Sequence, residues 1–89
     1  MEVRELAKIL EKPEELKVTI NVRGVPLTLA RNGEKQRVTR VYQSWQKVEE
    51  WWGKEVTRNY FMVKTSKGLV CDIYRDMPGD LWYLSRIHE

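Results

Sequence analysis

Between positions 17 and 40 the chain carries Lys17, Arg23, Arg31, Lys35, Arg37 and Arg40 against Glu34 alone, a net charge of +5. The whole 89-residue chain is only +3, with residues 1–16 at −2 and residues 41–89 at zero. All the excess positive charge therefore lies in one short central segment. Lysines and arginines so concentrated can neutralise several phosphates and release their counterions, and exposed aromatics beside them stack on unpaired bases. With Arg58 downstream, the candidate nucleic-acid contacts are Lys17, Arg23, Arg31, Lys35, Arg37, Arg40 and Arg58, and the candidate stacking or partner-contact residues are Trp51 and Tyr42. The competing interpretation is the solvated face of an ordinary basic protein.

Other reactive side chains form no catalytic or metal-binding constellation. Asp72, Asp76 and Asp80 bracket a Pro78-Gly79 turn, where aspartates bond local backbone amides. His88 is the single histidine and Cys71 the single cysteine, so the partners of a zinc site or nucleophilic relay are missing. Cys71 lies between Val70 and Asp72 in an apolar run and reads as a small core residue. It has no internal disulfide partner, which points to a reducing compartment. No phosphate-binding glycine loop occurs. The expectation is a protein without enzymatic activity, metal or cofactor; a carboxylate cleft joining Asp72 to Glu55 would reverse it.

The elements that must position these residues are mostly strands. Leu16, Val18, Ile20 and Val22 alternate with Lys17, Thr19 and Asn21, the cleanest strand pattern in the chain. Arg23-Gly24-Val25-Pro26 turns, Leu27 and Leu29 begin a second strand, and Asn32-Gly33 marks a two-residue hairpin. A third strand follows over about 36–42, where Val38 and Val41 fall on opposite faces and imply either a bulge or a strand covered on both sides. Later strands are expected at 58–65, 69–75 and 81–87, separated by Ser66-Lys67-Gly68 and by the Pro-Gly turn. An exposed edge at Leu16–Val22 could pair two chains.

Two segments predict helix. Val3, Leu6, Ile9 and Leu10 have helical spacing over residues 2–11, ending before Pro13. In the tryptophan-rich stretch, Ser44 is placed as an N-cap, Trp45, Val48 and Trp52 share one helical face, and Gly53 sits as a C-cap, with an irregular loop pinned by the tryptophans as the rival. Trp45, Trp52 and Trp82 read as core, with Tyr60, Phe61 and Tyr74 packed near them, while Trp51 cannot share the orientation of Trp52 and is left for recognition.

The order Gly24-x-Pro26, Val38, Trp45, Trp51-Trp52, Arg58-x-Tyr60-Phe61, Gly68, Asp72-Ile73-Tyr74-Arg75-Asp76 and Trp82-x-Leu84-x-Arg86-Ile87 resembles a known family. It is a small bacterial domain of unknown function, found alone or attached to Y-family polymerase-like proteins of the damage-inducible mutagenesis cassette. The resemblance spans about residues 16–89 and rests on aromatic spacing. It implies an accessory role in bacterial DNA repair or translesion synthesis and no transferable activity.

The expectation is thus a single mainly β (α+β) domain over residues 1–89. It is a small curled antiparallel sheet or barrel of about six strands, with a short N-terminal helix over 1–13 and a short Trp-rich helix after the third strand. Its function would be non-enzymatic binding of single-stranded DNA or another nucleic acid. The alternative is a protein-interaction adaptor that meets a repair or polymerase-associated protein through Trp51 and the N-terminal helix. No run approaches the length of a membrane span, so the expected protein is cytoplasmic, without a membrane partner, and a monomer or weak homodimer.

Overall fold

The computed structural model describes residues 7–51, 53–77 and 79–88, and among these every side chain except those of residues 7–12 and 51. Six antiparallel strands follow one another around a closed barrel: β1 (Ala7–Ile20), β2 (Pro26–Arg31), β3 (Glu34–Trp51), β4 (Lys54–Thr65), β5 (Val70–Asp76) and β6 (Leu81–His88). Each pairs with the next, and β6 returns to β1.

Alternation selects the interior. Leu16 of β1, Leu29 of β2, Val63 of β4, Cys71 and Ile73 of β5, and Trp82 and Leu84 of β6 form the buried core. Val18, Ile20, Val38, Phe61, Leu69 and Ile87 pack against it, half-buried. The expected bulge is present: the register slips between Val38 and Arg40, so that Val38 opposes Thr65 and Val41 opposes Val63, both inward-facing positions of β4. Thr65 is itself buried, and its hydroxyl donates to Gln36 Oε1 at 2.6 Å and accepts from the backbone of Lys67 and Leu69.

Turn chemistry explains the short connections. Asn32 (φ 52°) and Gly33 (φ 77°) join Arg31 to Glu34, with both central residues in the left-handed region as a type I′ turn demands. Asn21 Oδ1 accepts the N–H groups of Arg23 and Val25 at 2.8 and 3.0 Å, which fixes the β1–β2 turn.

The ring closes by stagger. β1 pairs with β6 through its first part and with β2 through Lys17–Ile20, while β3 pairs with β2 over Glu34–Arg37 and with β4 from Val38 onward. Handing each strand from one neighbour to the next is the shear that a barrel needs. The stretch expected as a free edge, Leu16–Val22, is therefore engaged by β6 and β2. Among the described residues, β3 past Arg37 pairs with β4 alone and leaves its other edge unpaired.

Neither expected helix is found; none of the described residues is helical. Of the predicted N-terminal helix, residues 7–11 are strand and residues 2–6 lie outside those described. Ala7, Lys8 and Ile9 oppose His88, Ile87 and Arg86, so this segment supplies the ring-closing ladder. Ten residues are too few to hold a helix without tertiary support, and the edge of β6 offers partners for the backbone instead. Pro13 falls where the register slips between Ile9 and Glu14, so its missing N–H breaks no ladder bond.

The Trp-rich stretch is strand as well. β3 continues to Trp51, which opposes Lys54 across a two-residue turn, giving a twisted ribbon that projects past the barrel. Gly53 has φ 79°, which suits either a helix C-terminus or a hairpin turn, so that glycine did not discriminate between them. On a strand, Trp45 and Val48 fall on opposite faces, and the helical stripe disappears. Trp52 lies outside the described residues.

Cys71 gives the interior a titratable probe. Burial pushes its thiol from the ordinary 9.0 up to about 12, with Asp72 adding to the effect and Arg31 opposing it. The folded-state pKa is raised, so this stabilisation is complete below pH 9 and is lost as pH rises towards 12. Urea unfolding at about pH 8 and about pH 10 should show a loss on the order of 1 kcal/mol that Cys71→Ala removes. Native protein should also resist thiol reagents until it opens.

Candidate nucleic-acid interface

The outer surface of β1–β3 gathers most of the expected cations. Lys17 opposes Ala30, which opposes Lys35; in the adjoining row Thr19 opposes Thr28, which opposes Arg37. These residues alternate with the inward Leu16, Val18, Leu29 and Gln36, so they share the outer face. Past the bulge, Arg40 opposes Lys64 of β4 on that same face. Lys17, Lys35, Arg37, Arg40 and Lys64 are all exposed, and none makes an ion pair among the described residues. Lys17 and Lys35 are two strands apart, about 10 Å, and Arg37 lies about 7 Å further along β3. Five cations without ion-pair partners along this curved outer face give it a positive potential.

The remaining expected cations do not join them. Arg31 pairs with Glu14 at 3.1 Å. Arg58 reaches Glu49 at 3.6 Å and lies 5.0 Å over the ring of Tyr74. Arg23 belongs to the β1–β2 turn and borders an open cleft of about 460 Å³ at the barrel mouth, together with Gln46, Asn59, Phe61 and Arg75. The structure thus unites four of the seven expected cations and adds Lys64. The alternation of Lys64 with Val63 and Thr65 was visible in the sequence, but its place opposite Arg40 depends on pairing across the hairpin.

A second feature was not anticipated. Trp45, Tyr60, Tyr74 and Tyr83 stand directly opposite one another on β3, β4, β5 and β6. Their ring centroids are 5.3, 5.0 and 5.2 Å apart, and the first pair is nearly parallel at 8°. They alternate with inward Phe61, Ile73 and Leu84 and so form an aromatic row on the outer face. Lys47 sits 5.1 Å over Tyr60, as Arg58 does over Tyr74, and these cations cover the centre of the row. Tyr60 and Tyr74 are buried beneath them, whereas Trp45 and Tyr83 at the two ends are half-buried. Burial raises the Tyr74 pKa, with Arg58 opposing. Burial also works against the Arg58 charge, but contacts with Tyr60, Tyr74 and Glu49 outweigh it and raise that pKa above its ordinary value.

Trp45, expected in the core, is therefore an outer-face residue. Of the expected core tryptophans among the described residues, Trp82 is placed there, 5.8 Å from Phe61. A cleft of about 240 Å³ opens beside the row, lined by Trp45, Lys47, Tyr60, Asp72, Ser85 and Arg86. Tyr42 is exposed, with Arg40 4.9 Å over its ring; the Trp51 side chain lies outside those described. Tyr60 and Lys64 share the outer side of β4 about 13 Å apart, so the aromatic row and the basic face belong to one continuous surface.

The three aspartates separate. Asp72, buried, meets His88 Nε2 at 2.8 Å; Asp80 accepts from Arg75 Nε at 2.6 Å; Asp76 opposes Arg58. Arg58 Nε and Asp76 Oδ1 are buried without hydrogen-bond partners, so this position is polar and incompletely satisfied. Among the described residues no three His, Cys, Asp or Glu side chains converge as a metal site requires. Glu55 opposes Glu50 near the ribbon tip and Asp72 opposes Met62, which separates the two carboxylates by about 23 Å along β4. No helix among the described residues is long and apolar enough to cross a membrane.

No protein-family model, no curated protein and no solved structure matches this chain.

The stacked pair at the end of the row is testable without a ligand. A double-mutant cycle with Trp45→Ala and Tyr60→Ala, read by urea unfolding, should give a coupling of about 0.5–1.5 kcal/mol. A coupling of zero would mean that the rings lie close without stabilising one another.

Proposed function

We propose that this domain is a non-enzymatic module that binds single-stranded nucleic acid along the outer face of the barrel. The observation that carries the reading is the set of five exposed, unpaired cations, Lys17, Lys35, Arg37, Arg40 and Lys64, beside the half-buried ring of Trp45. The backbone phosphates run over the cations, and an unpaired base stacks at Trp45 or Tyr42, where Lys47, Arg86 and Arg40 lie close by. An accessory role in bacterial DNA repair or translesion synthesis is part of the proposal, and it rests on the resemblance in aromatic spacing alone. The adaptor alternative has less support, because residues 7–11 of its docking helix are strand.

Fluorescence anisotropy with a labelled oligothymidylate at about 50 and about 200 mM salt tests the reading. Five contacted phosphates predict a log–log salt slope of about −3.5 on a single strand. Arg37→Ala combined with Arg40→Ala should flatten it to about −2 and weaken binding at every salt concentration. Absence of binding at the lower salt overturns the proposal.

A further inference from the structure

We propose that β3 pairs edge to edge with β3 of a second copy, antiparallel about Val48, to join two ribbons into one continuous four-stranded sheet. From Arg40 to Trp51 this strand pairs with β4 alone, and no described backbone group of another segment bonds to its outer edge. Trp51 and Lys54 close a two-residue turn. In such a hairpin the closing pair exchanges both its hydrogen bonds, and alternate residues face the partner strand. The N–H and C=O groups of Ser44, Gln46, Val48 and Glu50 therefore point away from β4, towards open solvent. Unused strand edges of this kind template pairing with another chain.

Side chains then select the register. Val48 is 58% exposed, an apolar β-branched residue with a cation on one side and an anion on the other. In an antiparallel pairing centred on Val48, Lys47 of each copy faces Glu49 of the other, Gln46 faces Glu50, and the two Val48 side chains meet at the two-fold axis. Directly opposed opposite charges stabilise such pairs and like charges weaken them. A pairing centred on Lys47 would instead oppose two lysines, and one centred on Glu49 would oppose two glutamates. The charge pattern that blunts the edge in other registers is thus self-complementary in this one. No bulge interrupts β3 from Gln43 onward, so the faces of the two ribbons stay in phase.

Seven paired residues bury less than the roughly 1,600 Å² of a standard interface, so the dimer is weak and concentration-dependent. Lys17, Lys35, Arg37, Arg40 and Lys64 lie outside the paired segment and Trp45 and Lys47 lie within it, but the pairing is argued from the strand edge and the charge pattern alone and does not rest on the nucleic-acid reading.

Sedimentation equilibrium from about 10 μM to about 1 mM should show a reversible monomer–dimer transition. Val48→Pro should abolish it while the fold persists by circular dichroism, because the lost N–H serves only the free edge. Lys47→Glu should weaken the dimer roughly tenfold or more, and adding Glu49→Lys should restore it by exchanging the charges. A chain monomeric across the whole range overturns the proposal. So does a dimer indifferent to Val48→Pro, or a folded charge-swapped variant that fails to recover.

Discussion

The width of the barrel governs the rest of this molecule. Eight strands enclose an interior just wide enough for side chains, and a six-stranded ring is narrower. Leu29, Val63, Ile73 and Leu84 fill that space with Trp82 and Phe61 at its mouth, which leaves little room for further aromatic rings. Trp45, Tyr60, Tyr74 and Tyr83 consequently lie outside, where they bury one another across four strands. Rings stacked on an outer surface need cover from water, and Lys47 and Arg58 provide it with their cations, 5.1 Å over the ring of Tyr60 and 5.0 Å over that of Tyr74. An aromatic surface flanked by cations follows from a core that is full.

Stagger has the second-largest effect. Because β3 leaves β2 after Arg37 and continues with β4 alone, the fold carries both a closed barrel and a projecting two-stranded ribbon. Within the barrel every strand finds partners on both sides. In the ribbon, one side of β3 has none among the described residues. An isolated pair of strands is marginal in water, which gives this segment more to gain from an added strand than any part of the ring.

Much of the ring was legible beforehand. Alternation placed Leu16–Ile20, the Asn32-Gly33 turn, the bulge near Val38 and the last two strands, since each is a local property of residue type and backbone preference. The two helices failed for a shared reason. The spacings of Val3, Leu6, Ile9 and Leu10 and of Trp45, Val48 and Trp52 are local helical signals that strand pairing overrides, and the deciding partners are distant: Arg86 for Ile9, Tyr60 for Trp45. The basic face shows a similar limit. Charge density located it, but register determined that Lys17, Lys35, Arg37 and Arg40 converge with Lys64, while Arg31 and Arg58 are drawn into ion pairs. The aromatic row was invisible because it requires the pairing of four strands.

The proposed nucleic-acid surface is the outer face of β1–β3, continuing to Trp45. Amide and indole chemical-shift mapping during titration with a short oligothymidylate at low salt tests it most directly. Shifts are expected at Lys17, Lys35, Arg37, Arg40 and Lys64 and at the Trp45 indole, with the buried positions Ile73 and Leu84 unmoved. Shifts confined to the turn at Gly53 or to the cleft beside Arg23, with the basic face silent, would contradict that proposal.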